Sequence, residues 1–167
     1  WEQRGVTIEQ DGEFPQSSST TFTVKTTQKQ HFALNLLIPS WAEKASISIN
    51  GKKTSVKVTG KARYHTISRK WKDSDKVQLH LQGGFKIHHL QGDCQTIAIS
   101  YGPMLLAFIE NDKIELQLTE HQLLNNLQAT DASKGIFTLN HNGKQYTLRP
   151  LFDVDDETYS VYVQLKP

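Results

Sequence analysis

The sequence predicts an all-β protein, an antiparallel β-sandwich of the jelly-roll kind with at most one short helix. Apolar and polar residues alternate through most of the chain, and this period of two is typical of half-buried strands. Asn50-Gly51 and Asn142-Gly143 each stand between two alternating stretches. Because Asn-Gly favours the type I′ turn, both dipeptides indicate tight β-hairpins. Turn-forming pairs such as Gly83-Gly84 and Gly102-Pro103 separate further stretches, which gives the many short strands of a sandwich.

The strand candidates follow one another along the whole chain. In order, they lie at 6–9, 22–25, 32–38, 45–49, 54–58, 77–81, 97–101, 104–109, 136–139, 145–148 and 159–165. The stretch 104–109 is apolar on both faces, which is typical of a strand buried between two layers. Only 119–128 has helical character, with Thr119 as its expected N-cap.

The chain length of 167 residues suits one domain, or one domain with a small appendage. We expect a β-sandwich domain at 1–108 and a C-terminal β segment at 109–167. The second segment has too few apolar residues for an independent core, so it should pack on the sandwich or on a missing partner. Met104 is the only methionine, so we expect a processed product or a piece of a longer protein.

Composition excludes several classes of function. The 19 basic and 17 acidic residues give a net charge of +2, too small a surplus to indicate a nucleic-acid binder. No apolar run approaches the roughly 20 residues that a membrane-spanning helix needs. The single cysteine, Cys94, cannot form an internal disulfide or a Cys-rich zinc site, and we expect no cofactor.

The densest acidic cluster consists of Asp153, Asp155, Asp156 and Glu157. Such a cluster can ligate calcium, although the EF-hand glycine and the spaced terminal glutamate are missing. A pair of these carboxylates could also serve as the acid and base of glycoside hydrolysis. The alternative is a solvated loop, and the sequence favours that alternative.

Other reactive side chains do not form a motif. His88 and His89 are neighbours on a strand, so they point to opposite faces and cannot bind one metal together. His80 or Cys94 could join one of them, but the spacing fits no known zinc motif. A nucleophilic role for Cys94 would need a nearby base. We therefore predict no catalytic residue and no metal ligand.

The aromatic residues offer a different kind of site. Trp1, Tyr64 and Trp71 could stack on sugar rings, and they are our candidates for carbohydrate binding. The alternative is that these aromatic side chains fill the core or cap its ends, as aromatics in a sandwich usually do. Trp71 comes just before Lys72-Asp73, and this position indicates a strand end.

Three stretches in a fixed order carry a family resemblance. They are 36–42 (LLIPSWA) followed by 48–51 (SING), then 69–77 (RKWKDSDKV), then 98–107 (AISYGPMLLA). Together with the opening 1–15 and the ending 150–162, they resemble the region behind the catalytic barrel in the β-L-arabinofuranosidase group, glycoside hydrolase family 127 and its relatives. The sequence departs from that pattern at 85–91, where His88-His89 replaces a more apolar run.

This resemblance implies a parent enzyme with an N-terminal (α/α)₆ barrel that carries the catalytic cysteine, the acidic residues and the zinc ligands. None of those motifs occurs here, and Cys94 does not match the family's cysteine-rich stretch. We therefore expect a non-catalytic β-sandwich accessory domain of a glycosidase acting on arabinose-containing or related plant-type glycans, with that barrel as its partner. The alternative is an independent carbohydrate-binding module with an exposed aromatic platform.

Overall fold

The computed structural model describes residues 1–131 and 134–166, most of which form β-strands. Of the described residues, 60% lie in strands and 8% in helical segments, which are one α-helix and the short 3-10 turns Glu2–Arg4 and Leu151–Asp153. These fractions confirm the all-β prediction. The chain divides into two compact units, Trp1–Gly84 and Phe85–Pro167. Among the described residues, no helix is long and apolar enough to cross a membrane.

The first unit is an antiparallel β-sandwich. Its seven strands are β1 (Val6–Asp11), β2 (Ser19–Thr26), β3 (Gln30–Ile38), β4 (Ala42–Ile49), β5 (Lys52–Val56), β6 (Arg63–Trp71) and β7 (Lys76–Gly83). One sheet has the order β1-β2-β7-β4-β5, and β3 pairs with β6 in the other. Side chains from both sheets form one core, with Val24, Trp71 and Val77 fully buried in it.

The hairpin of β4 and β5 has the predicted turn. Asn50 and Gly51 adopt φ values of 49° and 86°, the positive φ that a type I′ turn requires. The register places Ile49 opposite Lys52 and Ala45 opposite Val56. The same hairpin chemistry recurs in the second unit, where Asn142 has a φ of 50°.

The second unit contains one large sheet and a hydrophobic core of its own. Its elements are β8 (Phe85–Leu90), β9 (Asp93–Tyr101), β10 (Met104–Ile109), β11 (Glu115–Leu116), α1 (Glu120–Asn126), β12 (Leu127–Asp131), β13 (Ile136–His141), β14 (Lys144–Pro150), β15 (Tyr159–Ser160) and β16 (Val163–Leu165). The sheet is antiparallel except where β11 pairs with β16. β15 pairs with β10 and β16 pairs with β9, so the end of the chain continues the sheet where those two strands separate.

Helix α1 begins at the expected residue. The Thr119 hydroxyl accepts a hydrogen bond from the backbone N–H of Gln122 at 3.3 Å. In return, the side-chain oxygen of Gln122 accepts one from the backbone N–H of Thr119 at 2.9 Å. This reciprocal pair is a capping box, which satisfies two of the free amides at a helix start. Leu123 then anchors the helix in the core of the second unit.

The compact units divide after Gly84, whereas the sequence predicts a boundary after residue 108. Residue 108 lies inside β10, which pairs with β9 on one side and β14 on the other. Residues on both sides of position 108 share one core, to which Ile97, Phe108 and Leu148 belong. The strand β10 is also less enclosed than its apolar sequence predicts, because Leu105 is 37% exposed.

Candidate functional site

Trp71 lies in the core of the first unit and not on its surface. Its side chain is fully buried, and its ring stacks on Phe32 with 5.6 Å between the ring centroids. The indole N–H donates to the backbone carbonyl of Phe32 at 3.0 Å. A buried ring with a satisfied donor cannot stack on a sugar, so Trp71 is not part of an exposed aromatic platform.

Trp1 and Tyr64 are exposed, but they lie apart. Trp1 is 60% exposed, meets Phe32 edge-on, and has the Arg4 guanidinium 4.5 Å from its ring centre. Tyr64 is 67% exposed and pairs with Leu37 on the outer side of the small sheet. Phe32 and Leu37 are five residues apart on β3 and face opposite sides, a separation of about 17 Å along the strand. The structure therefore does not bring the two aromatic residues into one platform.

The acidic cluster of residues 153–157 is held by Arg149. The Arg149 guanidinium forms ion pairs with Asp153, at 3.2 Å, and with Glu157. The backbone amides of Glu157 and Asp155, together with Arg149, lower the pKa of the Glu157 carboxyl below its usual range. A glycosidase acid needs the opposite, a carboxyl whose pKa is raised so that it keeps its proton at neutral pH.

A shallow depression of about 300 Å³ lies beside this cluster. It is lined by Ile109, Glu110, Asn111, Glu157 and Thr158. The Lys144 ammonium binds the Glu110 carboxylate and lowers its pKa. Both acidic side chains of the depression are therefore paired with cations that favour their ionised form. This arrangement supplies no proton donor for hydrolysis.

The histidines do not converge on a metal. The Nε2 atom of His88 lies 2.8 Å from the Ser100 hydroxyl, whereas His89 bonds the Cys94 carbonyl at 2.8 Å and Glu120 at 3.0 Å. The Cys94 thiol is free and exposed. In the part of the chain that the structure describes, no group of three or more His, Cys, Asp or Glu side chains is arranged to hold a metal ion.

The comparisons with known proteins agree with this fold. Residues 1–83 match the family model for the β-L-arabinofuranosidase GH127 middle domain. The chain resembles a solved glycoside hydrolase at 16% identity and a TM-score of 0.71, covering 100% of this chain and 34% of that one. A GH127 β-L-arabinofuranosidase from Geobacillus stearothermophilus T6 matches at 18% identity and a TM-score of 0.62, and the match covers 96% of this chain and 31% of that one. A second GH127 β-arabinofuranosidase matches at 17% identity and a TM-score of 0.64, and the match covers 97% of this chain and 33% of that one.

These structural matches establish a shared fold, and the chain spans about a third of the length of each solved protein. No curated protein sequence matches the chain. The family match ends at residue 83, next to Gly84, where the first compact unit also ends. The first unit of this chain is therefore similar to the middle domain of the GH127 β-L-arabinofuranosidases.

Proposed function

We propose that this chain is a non-catalytic β-domain region of a larger glycoside hydrolase, the parent polypeptide, which acts on arabinose-containing or related plant-type glycans. The observation that carries the proposal is the match of residues 1–83 to the GH127 middle domain. The chemistry of the described residues supports it, because the carboxylates of the depression are paired with Lys144 and Arg149. The reaction would take place in a catalytic (α/α)₆ barrel of the same polypeptide.

The physical role of the chain would be to support that barrel. The three solved neighbours are each about three times as long as the region they share with this chain. Leu37 is 47% exposed and lies directly opposite Tyr64 on the outer side of the small sheet. An apolar pair of this kind is suited to contact with another domain, since burying it removes apolar surface from water.

A second candidate function is an independent carbohydrate-binding module. The exposure of Trp1 and Tyr64 is the observation that favours it. In that case either aromatic ring would stack on a sugar from an arabinan-derived oligosaccharide. Trp71 takes no part in this alternative, because its ring lies in the core.

One experiment on the purified 167-residue chain separates these functions. We expect no hydrolysis of 4-nitrophenyl β-L-arabinofuranoside above the rate in buffer, with a GH127 β-L-arabinofuranosidase as the positive control. We also expect no calorimetric signal with arabino-oligosaccharides at millimolar concentration. Tyr162, an exposed tyrosine of the second unit, is the control position. Binding that Trp1→Ala or Tyr64→Ala removes and Tyr162→Ala retains would favour the binding module instead. Hydrolysis that Asp155→Asn abolishes would show that the chain itself is an enzyme.

A further inference from the structure

The two units differ strongly in charge, although the chain as a whole is nearly neutral. The first unit holds 13 of the 19 basic residues and 7 of the 17 acidic residues. The imbalance is concentrated in 44–72, which contains nine basic residues and no acidic one. A uniformly charged segment of this kind creates a local potential that attracts ions of the opposite sign.

Part of this charge lies on the outer side of the five-stranded sheet. Ile47 of β4, Val56 of β5 and Val77 of β7 point into the core, so the side chains next to them along each strand point outward. We call the outer side of these three strands the basic face. Its side chains include Lys44, Ser46, Ser48, Lys53, Lys76 and Gln78.

The strand register arranges these side chains in rows. Ser48 lies opposite Lys53 on one side and opposite Gln78 on the other. Neighbouring strands are about 4.8 Å apart, so each row offers a hydrogen-bonding group at that spacing. This spacing is close to the rise per sugar of an extended polysaccharide chain.

The amines of the basic face are free to bind an anion. Among the described residues, none forms an ion pair with Lys44, Lys53 or Lys76. The acidic residues on the strands of this sheet are Glu43, at the bulge where β4 begins, and Glu9 and Asp11 on β1. Asp75, just before β7, is buried and bonded to Lys72 and Asn50. β1 is separated from β7 by β2, and Glu9 is already paired with Lys25 at 3.7 Å.

Protection of a sheet edge does not explain the lysines. Natural proteins place lysine on edge strands to prevent pairing with another chain, and β5 is such an edge. Lys44 and Lys76, however, lie on β4 and β7, which have partners on both sides. A role in binding accounts for all three.

We propose that the basic face binds an acidic polysaccharide, one whose sugars carry carboxylates. Its amines would pair with the carboxylates, and its hydroxyl and amide groups would bond to the sugar hydroxyls. The outward rows of β4, β5 and β7 carry no tryptophan, tyrosine or arginine, the residues that mostly anchor protein interfaces. His80 lies opposite Ser46 on this face, and its ring nitrogen bonds the Ser18 and Ser19 hydroxyls. The proposal goes beyond the proposed function and rests on it only for the choice of a polysaccharide over another polyanion.

The test is a calorimetric titration of the 167-residue chain with polygalacturonate at low ionic strength. We expect binding that weakens as salt is added, since exposed charges are screened. The combined change Lys44→Gln, Lys53→Gln and Lys76→Gln should weaken the affinity about tenfold. The matched control, Lys29→Gln, Lys61→Gln and Lys70→Gln, removes the same charge from exposed positions outside this sheet and should weaken it less than about twofold.

Three results would overturn the proposal. They are no binding of polygalacturonate, an equal loss in both triple variants, and equally tight binding of poly-L-glutamate or double-stranded DNA. Neutral arabinan is the uncharged control and should not bind. Circular dichroism and melting curves check that both triple variants are folded. Failure here would leave the hydrolysis assay of the proposed function unaffected, so the two proposals can fail separately.

Discussion

Replacing Trp71 with alanine is expected to lower the free energy of unfolding of the first unit by about 3–5 kcal/mol, the usual cost of deleting a buried aromatic ring. The ring is fully buried against Phe32, and its N–H bonds the Phe32 carbonyl. The measurement is denaturant unfolding followed by tryptophan fluorescence. Trp1 and Trp41 remain as reporters, and both lie in the first unit.

Tyr64→Ala is the matched control, because Tyr64 is an exposed aromatic residue on the same strand. We expect a change within about 0.5 kcal/mol for this surface substitution. If Trp71→Ala does not fold, Trp71→Phe keeps an aromatic ring and should cost about 1–2 kcal/mol through the lost hydrogen bond. A Trp71→Ala protein as stable as the control would contradict the assignment of Trp71 to the core.

Asp75→Ala should destabilise the same unit by about 3 kcal/mol, because it removes two hydrogen bonds to a buried charged group. The Asp75 side chain is fully buried beside Arg69, which lies 3.8 Å away. Its carboxylate accepts hydrogen bonds from the backbone N–H of Lys72 at 3.0 Å and from the side-chain amide of Asn50 at 2.8 Å. Asp11→Ala, at an exposed acidic residue of the same unit, should leave the fluorescence transition unchanged. An equal effect of the two substitutions would contradict this role of Asp75.

Asp75 also gives this stability a pH dependence. Burial opposes ionisation of Asp75, but the Lys72 and Asn50 amides and the Arg69 guanidinium outweigh it and lower the pKa of the carboxyl. A carboxyl with a lowered pKa stabilises the fold at pH values above its unfolded pKa of about 3.9. This contribution is lost as the pH falls through the folded pKa. The difference in stability between the unmodified chain and Asp75→Ala should therefore shrink below about pH 4.

Local signals in the sequence predict the hairpins and the helix start well. Asn50-Gly51 and Asn142-Gly143 fix their turns through the backbone itself, since both positions need positive φ. Thr119 and Gln122 form a capping box within a single turn of chain. These features depend on residues that are neighbours in sequence, so no knowledge of the rest of the fold is needed.

Long-range features were not predictable in the same way. The strand β6 alternates correctly, but its inward positions include the half-buried Arg63, His65 and Arg69, so its apolar signal is weak. The burial of Trp71 depends on the pairing of β6 with β3, which the sequence does not specify. The whole-chain charge of +2 conceals the basic face, although the absence of acidic residues from 44–72 is visible in the sequence.

The proposal that this chain is a non-catalytic part of a larger enzyme is tested by comparing the catalytic activity of the parent polypeptide with and without residues 1–167. If the proposed function is right, we expect all hydrolysis of arabinofuranosides to remain with the proposed barrel. We expect the barrel alone to melt at a lower temperature and to regain stability when the 167-residue chain is added separately. Hydrolysis that remains with residues 1–167 after the barrel is removed would contradict the account.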